Sequence, residues 1–172
     1  SLEGFAYDLA RFIKALHQIN TNDGPLPGIQ NFHRGGSLLN YDTETRKAVS
    51  ILGEEINQVA ALDLWEKAIN TNYTSQPVWV HGDISSGNLL VSRGLLSAVI
   101  DFGQLAIGDP ACDLTIAWTM FYGKSREVFI QSLRLEQDIW IRAQAWTLWK
   151  ALIIAAGISK TNAIDQQNSL KI

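Results

Sequence analysis

A chain of 172 residues that is 47% hydrophobic has enough apolar mass to hide roughly 70% of its unfolded surface in one core, so a single domain over residues 1–172 is the default reading. With 14 Lys plus Arg against 17 Asp plus Glu, the formal charge is −3, which leaves no basic field to gather nucleic acid or an anionic membrane. The one cysteine, Cys112, excludes an internal disulfide, and its apolar surroundings fit a small buried hydrophobe in a reducing, cytoplasmic setting.

Leu2, Phe5, Leu9, Phe12, Ile13, Leu16 and Ile19 recur at helical spacing, predicting an amphipathic helix that ends near Asn20. The opening residues, Ser1 to Phe5, do not read as a leader, and no apolar run matches the length of a membrane span. From Thr21 to Tyr41 the glycines and prolines predict loop and turns. The Gly35-Gly36 pair lacks both a preceding strand and a following Lys-Ser or Lys-Thr, so it reads as a turn rather than a phosphate loop. Asp42 is expected to cap a helix running to about Leu52, with Glu44 in its first turn, and a shorter helix is expected over Leu62 to Ile69.

After Pro77 the period changes. Val78-Trp79-Val80, Leu89-Leu90-Val91 and Ala98-Val99-Ile100 read as short strands, the second and third joined into an antiparallel hairpin through Ser92-Arg93-Gly94. Asp109-Pro110 then reads as N-cap and first helical residue, with a helix over Ala111 to Tyr122 terminated by Gly123. A further short helix is expected from a cap at Ser125. A long one is expected from Glu136 to Ala156, closed by Gly157, its Trp140, Trp146 and Trp149 in the core. The polar tail from Ser159 is expected to fray. The fold class is therefore α+β, mostly helical, around a small hairpin.

The chemistry concentrates in His81-Gly82-Asp83-Ile84-Ser85-Ser86-Gly87-Asn88, a His-x-Asp-x-x-x-x-Asn pattern between the first two strands. The third strand runs into Asp101-Phe102-Gly103, so the hairpin returns Asp101 to the mouth of that loop. Phosphoryl transfer needs a group to orient a hydroxyl and take its proton, and a cation to neutralise the phosphates. Asp83 suits the first task. Asn88 and Asp101 offer the hard oxygens that Mg²⁺ prefers, and Ser85 offers a donor to the terminal phosphate. Each has a plainer rival: Asp83 as a loop cap, Asp101 as a turn residue, Ser85 as part of a tight turn, and His81 as a supporting side chain that fixes the loop. Asp109 reads as an N-cap, and Asp113, in a first helical turn, as dipole compensation. His17 and His33 have no companions at metal-ligand spacing and are assigned no chemistry.

The string from His81 to Asn88, followed by Val99-Ile100-Asp101-Phe102-Gly103 and by Gly108-Asp109-Pro110-Ala111-Cys112-Asp113-Leu114, resembles the aminoglycoside phosphotransferase family, a branch of the protein-kinase-like fold. The resemblance implies the carboxy-terminal lobe of that fold, with Asp83 as catalytic base, Asn88 and Asp101 as Mg²⁺ ligands, and Asp113, with Asp109, supporting the loop. It implies ATP or GTP as donor and a small-molecule hydroxyl as acceptor, of aminoglycoside-antibiotic type or a metabolite. Gly82 stands where protein kinases carry an arginine, which favours a small-molecule kinase. Asp42, Glu44, Glu54, Glu55, Asp63 and Glu66 fall where the family contacts its acceptor, although scattered acids commonly mark a solvated helix face.

No glycine-rich strand pair and no strand lysine of the nucleotide-covering lobe occurs, and His81 comes too early to leave room for one. The expectation is that this lobe is absent, leaving the chain alone slow or inactive. The alternative reading is a noncatalytic binding or dimerising module that pairs with a second copy or a separate amino-terminal lobe. A metallophosphoesterase is disfavoured by the lack of a Gly-Asn-His run and the scarcity of histidine.

Overall fold

The structure is a computed structural model that describes residues 1–159. The expected polar tail lies, from residue 160 onward, outside the described residues. Helix α1 spans Leu2–His17, capped by Ser1, whose hydroxyl accepts from Gly4 N. Its buried stripe, Phe5, Leu9, Ile13 and Leu16, repeats at the helical period, and each of these large side chains contributes about 1.5–3 kcal/mol by leaving water. The following segment is loop with short 3₁₀ turns at Ile29–Asn31 and Leu38–Tyr41.

Helix α2 spans Asp42–Leu52 and α3 spans Gln58–Ile69. Asp42 is not the N-cap expected from sequence. It is the first helical residue, and its Oδ1 accepts instead from Arg46 Nε and from the indole Nε1 of Trp65, at 2.9 and 2.8 Å. The pull of a guanidinium and a buried indole exceeds that of its own backbone amides. Asn57 caps α3, accepting from Ala60 N, so that helix begins earlier than its apolar run suggests.

Strands β1 (Val78–Val80), β2 (Leu89–Ser92), β3 (Leu95–Val99) and β4 (Ala106–Gly108) form two separate antiparallel pairs. The β2–β3 hairpin is the expected one, with Leu89 opposite Val99. Arg93 and Gly94 both take positive φ, 54° and 77°, as a primed turn requires. β1 pairs with β4, Val80 opposite Ala106. That strand escaped the sequence reading because Ala-Ile-Gly carries no alternation and all three residues are buried.

Beyond β4 the single helix expected over Ala111 to Tyr122 divides into a 3₁₀ turn, Pro110–Leu114, and a short helix α4, Ile116–Thr119. Gly123 does not terminate it. Instead it opens helix α5, Gly123–Leu133, where Ser125 exchanges hydrogen bonds with Tyr122. Helix α6 spans Gln137–Ala155, with Gly157 just beyond at φ 68°. It is buried over most of its surface, Trp140, Trp146 and Trp149 included, with Lys150 among the few exposed positions, as befits a helix set into a core. No helix among the described residues is long and apolar enough to cross a membrane.

Candidate active site

Strand β1 ends on buried Val80 and feeds His81 into a turn at Gly82. There φ is +87°, and a Cβ would lie 2.4 Å from the carbonyl oxygen of Gln104. Only glycine fits both the left-handed backbone and that close approach. The arginine that protein kinases carry at this place is therefore excluded by the backbone itself.

Two amides at the turn, His81 N and Gly82 N, each donate to the Asp113 carboxylate at 2.7 Å. Asp113 is fully buried. Burial pushes its carboxyl up to about 7, while the two amides pull the other way by favouring the ionised form. Its place in the chain thus serves the loop directly, and not merely the first turn of a helix. Asp109 does something else: its Oδ1 accepts from Ala111 N at 3.1 Å, as the N-cap reading expects, and its Oδ2 accepts from Arg142 Nε at 2.6 Å. No hydrogen bond joins it to residues 81–88 among the described residues, so it secures the segment after β4 to helix α6 and touches the loop only through that segment.

The ring of His81 ties the loop to the hairpin. Its Nδ1 accepts from Asp83 N at 3.2 Å, which leaves Nε2 to carry the proton donated to the carbonyl of Ile100 at 3.0 Å. Burial lowers its pKa and keeps it neutral. It also packs 4.5 Å from the ring of Phe102.

Asn88 Nδ2 donates to both the carbonyl oxygen and the Oδ2 of Asp83, at 2.9 and 3.0 Å. With its amide hydrogens committed, Asn88 keeps Oδ1 as an acceptor that takes no hydrogen bond among the described residues. Ile100 N donates to Asn88 O at 3.0 Å, so the hairpin pairing continues past Leu89 and Val99 to the residue before Asp101. Asp101 is exposed, with φ +65°, a conformation uncommon for a side-chain-bearing residue. Its Oδ1 is 3.4 Å from Gly103 N, and no hydrogen bond joins it to Asp83 or Asn88. Ser85 precedes the turn Ser86–Asn88 and accepts from Asn88 N through its carbonyl.

No group of three His, Cys, Asp or Glu suited to a metal lies among the described residues. The available donors are one amide oxygen and one exposed carboxylate, both hard, and Mg²⁺ accepts that set because it retains several waters and takes further oxygens from phosphates.

Three basic residues that carried no signal in the sequence shape the surroundings. Lys150 of α6 places Nζ 3.3 Å from Asp83 Oδ1. Arg34, 9% exposed, lies against the rings of Trp146 and Trp149 at 5.1 and 5.3 Å and donates through Nε to Gln104 Oε1 at 2.8 Å. Arg142 pairs with Asp109. Arg34 sits in a stretch that reads only as loop, and Lys150 reads as one polar position in a tryptophan-rich helix.

The model of the phosphotransferase enzyme family matches residues 1–150. Among curated proteins no match is found. Among solved structures, the streptomycin-ATP-APH(2'')-IIa ternary complex is 21% identical over 89% of this chain and 55% of its own, with a TM-score of 0.57. The macrolide 2'-phosphotransferase MphH from Brachybacterium faecium is 18% identical over 98% of this chain and 58% of its own, TM-score 0.57. The GDP complex of wild-type aminoglycoside 2'-phosphotransferase-IIIa is 17% identical over 99% and 60%, TM-score 0.60. At these identities the likeness is one of fold, and the chain spans little more than half the length of each.

Proposed function

The chain belongs to the phosphotransferase enzyme family, and from that premise we propose that it serves transfer of the terminal phosphoryl group of a nucleoside triphosphate to a hydroxyl of a small molecule. The observation that carries this reading is the two-point grip of Asn88 on Asp83. It orients the carboxylate so that Oδ2 is occupied and Oδ1 faces the cleft beside Lys150.

In this reading Asp83 Oδ1 accepts the proton of the acceptor hydroxyl as its oxygen forms a bond to the terminal phosphorus, and the nucleoside diphosphate departs with the electrons of the broken P–O bond. Asn88 Oδ1 and the Asp101 carboxylate hold Mg²⁺, which when bound neutralises charge on the phosphate oxygens. His81 and Asp113 position Asp83 without touching substrate. Ser85 lends a donor near the terminal phosphate. The ATP and GDP in the related structures support a nucleotide donor, with no choice between ATP and GTP.

A second reading, a docking module, is favoured by one observation: Leu90, Val91 and Leu95 of the hairpin are about half exposed. Such a strip suits a separate nucleotide-covering lobe or a second copy of this chain.

The test is Mg²⁺-dependent nucleotide binding, followed by nucleoside diphosphate release with a panel of hydroxylated acceptors. Asp101→Ala abolishes the metal dependence of binding. Asp83→Ala lowers turnover by about 10²–10⁴-fold, and unchanged turnover would discard the assignment of the base.

A further inference from the structure

Resting on the reading of Asp83 as the group that faces the acceptor, we infer that the acceptor bears an oxyanion, a carboxylate or a phosphate ester, received by Arg34 and Lys150. The cleft at Asp83 is lined by Arg34, Trp146, Trp149 and Lys150, and as it stands encloses only about 10 Å³, the space of one water. Within that lining Lys150 Nζ contacts Asp83 Oδ1, the same oxygen an acceptor hydroxyl must reach. Lys150 must turn aside for Asp83 Oδ1 to be free of that contact.

Turning it away is inexpensive. The side chain is 45% exposed and that of Asp83 25%, and pairs this open to water contribute little. An acceptor carrying an anion gives Nζ a replacement partner, so the swing releases Oδ1 without stranding a charge. A polycationic acceptor offers no such exchange and adds repulsion.

Arg34 also lines this cleft. It is nearly buried yet has no carboxylate ion pair among the described residues; its Nε is satisfied by a neutral amide and its face by two indoles. The nearby acids are already engaged: Asp113 by the amides of His81 and Gly82, Glu44 by Trp149 Nε1 at 2.7 Å. A guanidinium that lines the cleft with no carboxylate hydrogen-bonded to it matches a carboxylate or phosphate held by two oxygens.

Four probes that share one sugar ring test this on the full chain: D-glucuronate, D-glucose 6-phosphate, D-glucose and D-glucosamine. Binding is followed by the indole N–H resonances of Trp146 and Trp149. The expected order places one or both anionic sugars roughly tenfold ahead of glucose and glucosamine last. Lys150→Glu, at an exposed site, erases that preference while the fold, judged by circular dichroism, is kept, and Arg34→Gln weakens the anionic probes alone. The two anionic probes distinguish carboxylate from phosphate. Equal affinities, no binding of either anion, or a preference for glucosamine overturns the inference. Retained binding preference with no phosphoryl transfer to any acceptor counts against the proposed function and leaves this inference standing.

Discussion

Asp109 and Arg142, 33 positions apart in the chain, meet at 2.6 Å with each side chain less than a tenth exposed. Arg142 also donates to Thr71 Oγ1 at 3.1 Å and lies 5.7 Å from the ring of Tyr73, so one guanidinium joins α6, the segment after β4 and the end of α3. Removing one partner strands a buried charge. Arg142→Met is expected to lower stability by about 3–5 kcal/mol, read by urea denaturation, whereas adding Asp109→Asn to it recovers part of the loss. A double variant as unstable as the sum of the two single ones would contradict this account.

Gly82→Ala is expected to damage the loop more than substitution of the neighbouring exposed Ser86. The new Cβ meets Gln104 O, and the left-handed backbone costs about 1–2 kcal/mol for an L side chain. Thermal denaturation measures the loss, and Ser86→Ala, at an exposed position, serves as the reference within about 0.5 kcal/mol of the parent.

Asp113→Asn keeps the volume but turns one oxygen into a donor that faces a backbone N–H. One of the amides of His81 and Gly82 then goes unpaired, at about 1–3 kcal/mol. In the role proposed for Asp113, which positions Asp83 without contacting substrate, nucleotide affinity is expected to hold while kcat falls. Equal losses in both would mean that the substitution unsettles the whole hairpin.

His17, in the last turn of α1, leaves Nε2 buried without a partner, and burial lowers its pKa from 6.5 to about 4. The helix C-terminus favours the charged ring by about 0.3–1 kcal/mol, too little to offset the desolvation. Between pH 6.5 and 4 the unfolded chain therefore binds the proton that the folded chain refuses, and stability falls as pH falls through that window. The loss is about 3 kcal/mol at most. Denaturation midpoints from pH 7 down to 4 measure it, and His17→Leu flattens the slope if the histidine is its source.

The motif residues were legible because their spacing is local. His81, Asp83 and Asn88 lie within one loop, and the hairpin that returns Asp101 is set by the primed turn at Arg93-Gly94. Boundaries were less legible: one expected helix splits at Thr115, and Gly123, whose positive φ is the mark of a helix end, instead opens α5 where Tyr122 and Ser125 exchange hydrogen bonds. β4 was invisible, since three buried residues carry no period.

Composition, the His-to-Asn loop and the helical stripe of α1 are properties of short stretches, in which neighbours along the chain are neighbours in space, and the sequence alone determined them. The convergence of Arg34, Lys150 and the two tryptophans on Asp83, and of Arg142 on Asp109, joins residues dozens of positions apart. Only the packing of α6 through the core brings those charges together, because a long-range contact leaves no period or spacing in the chain that makes it.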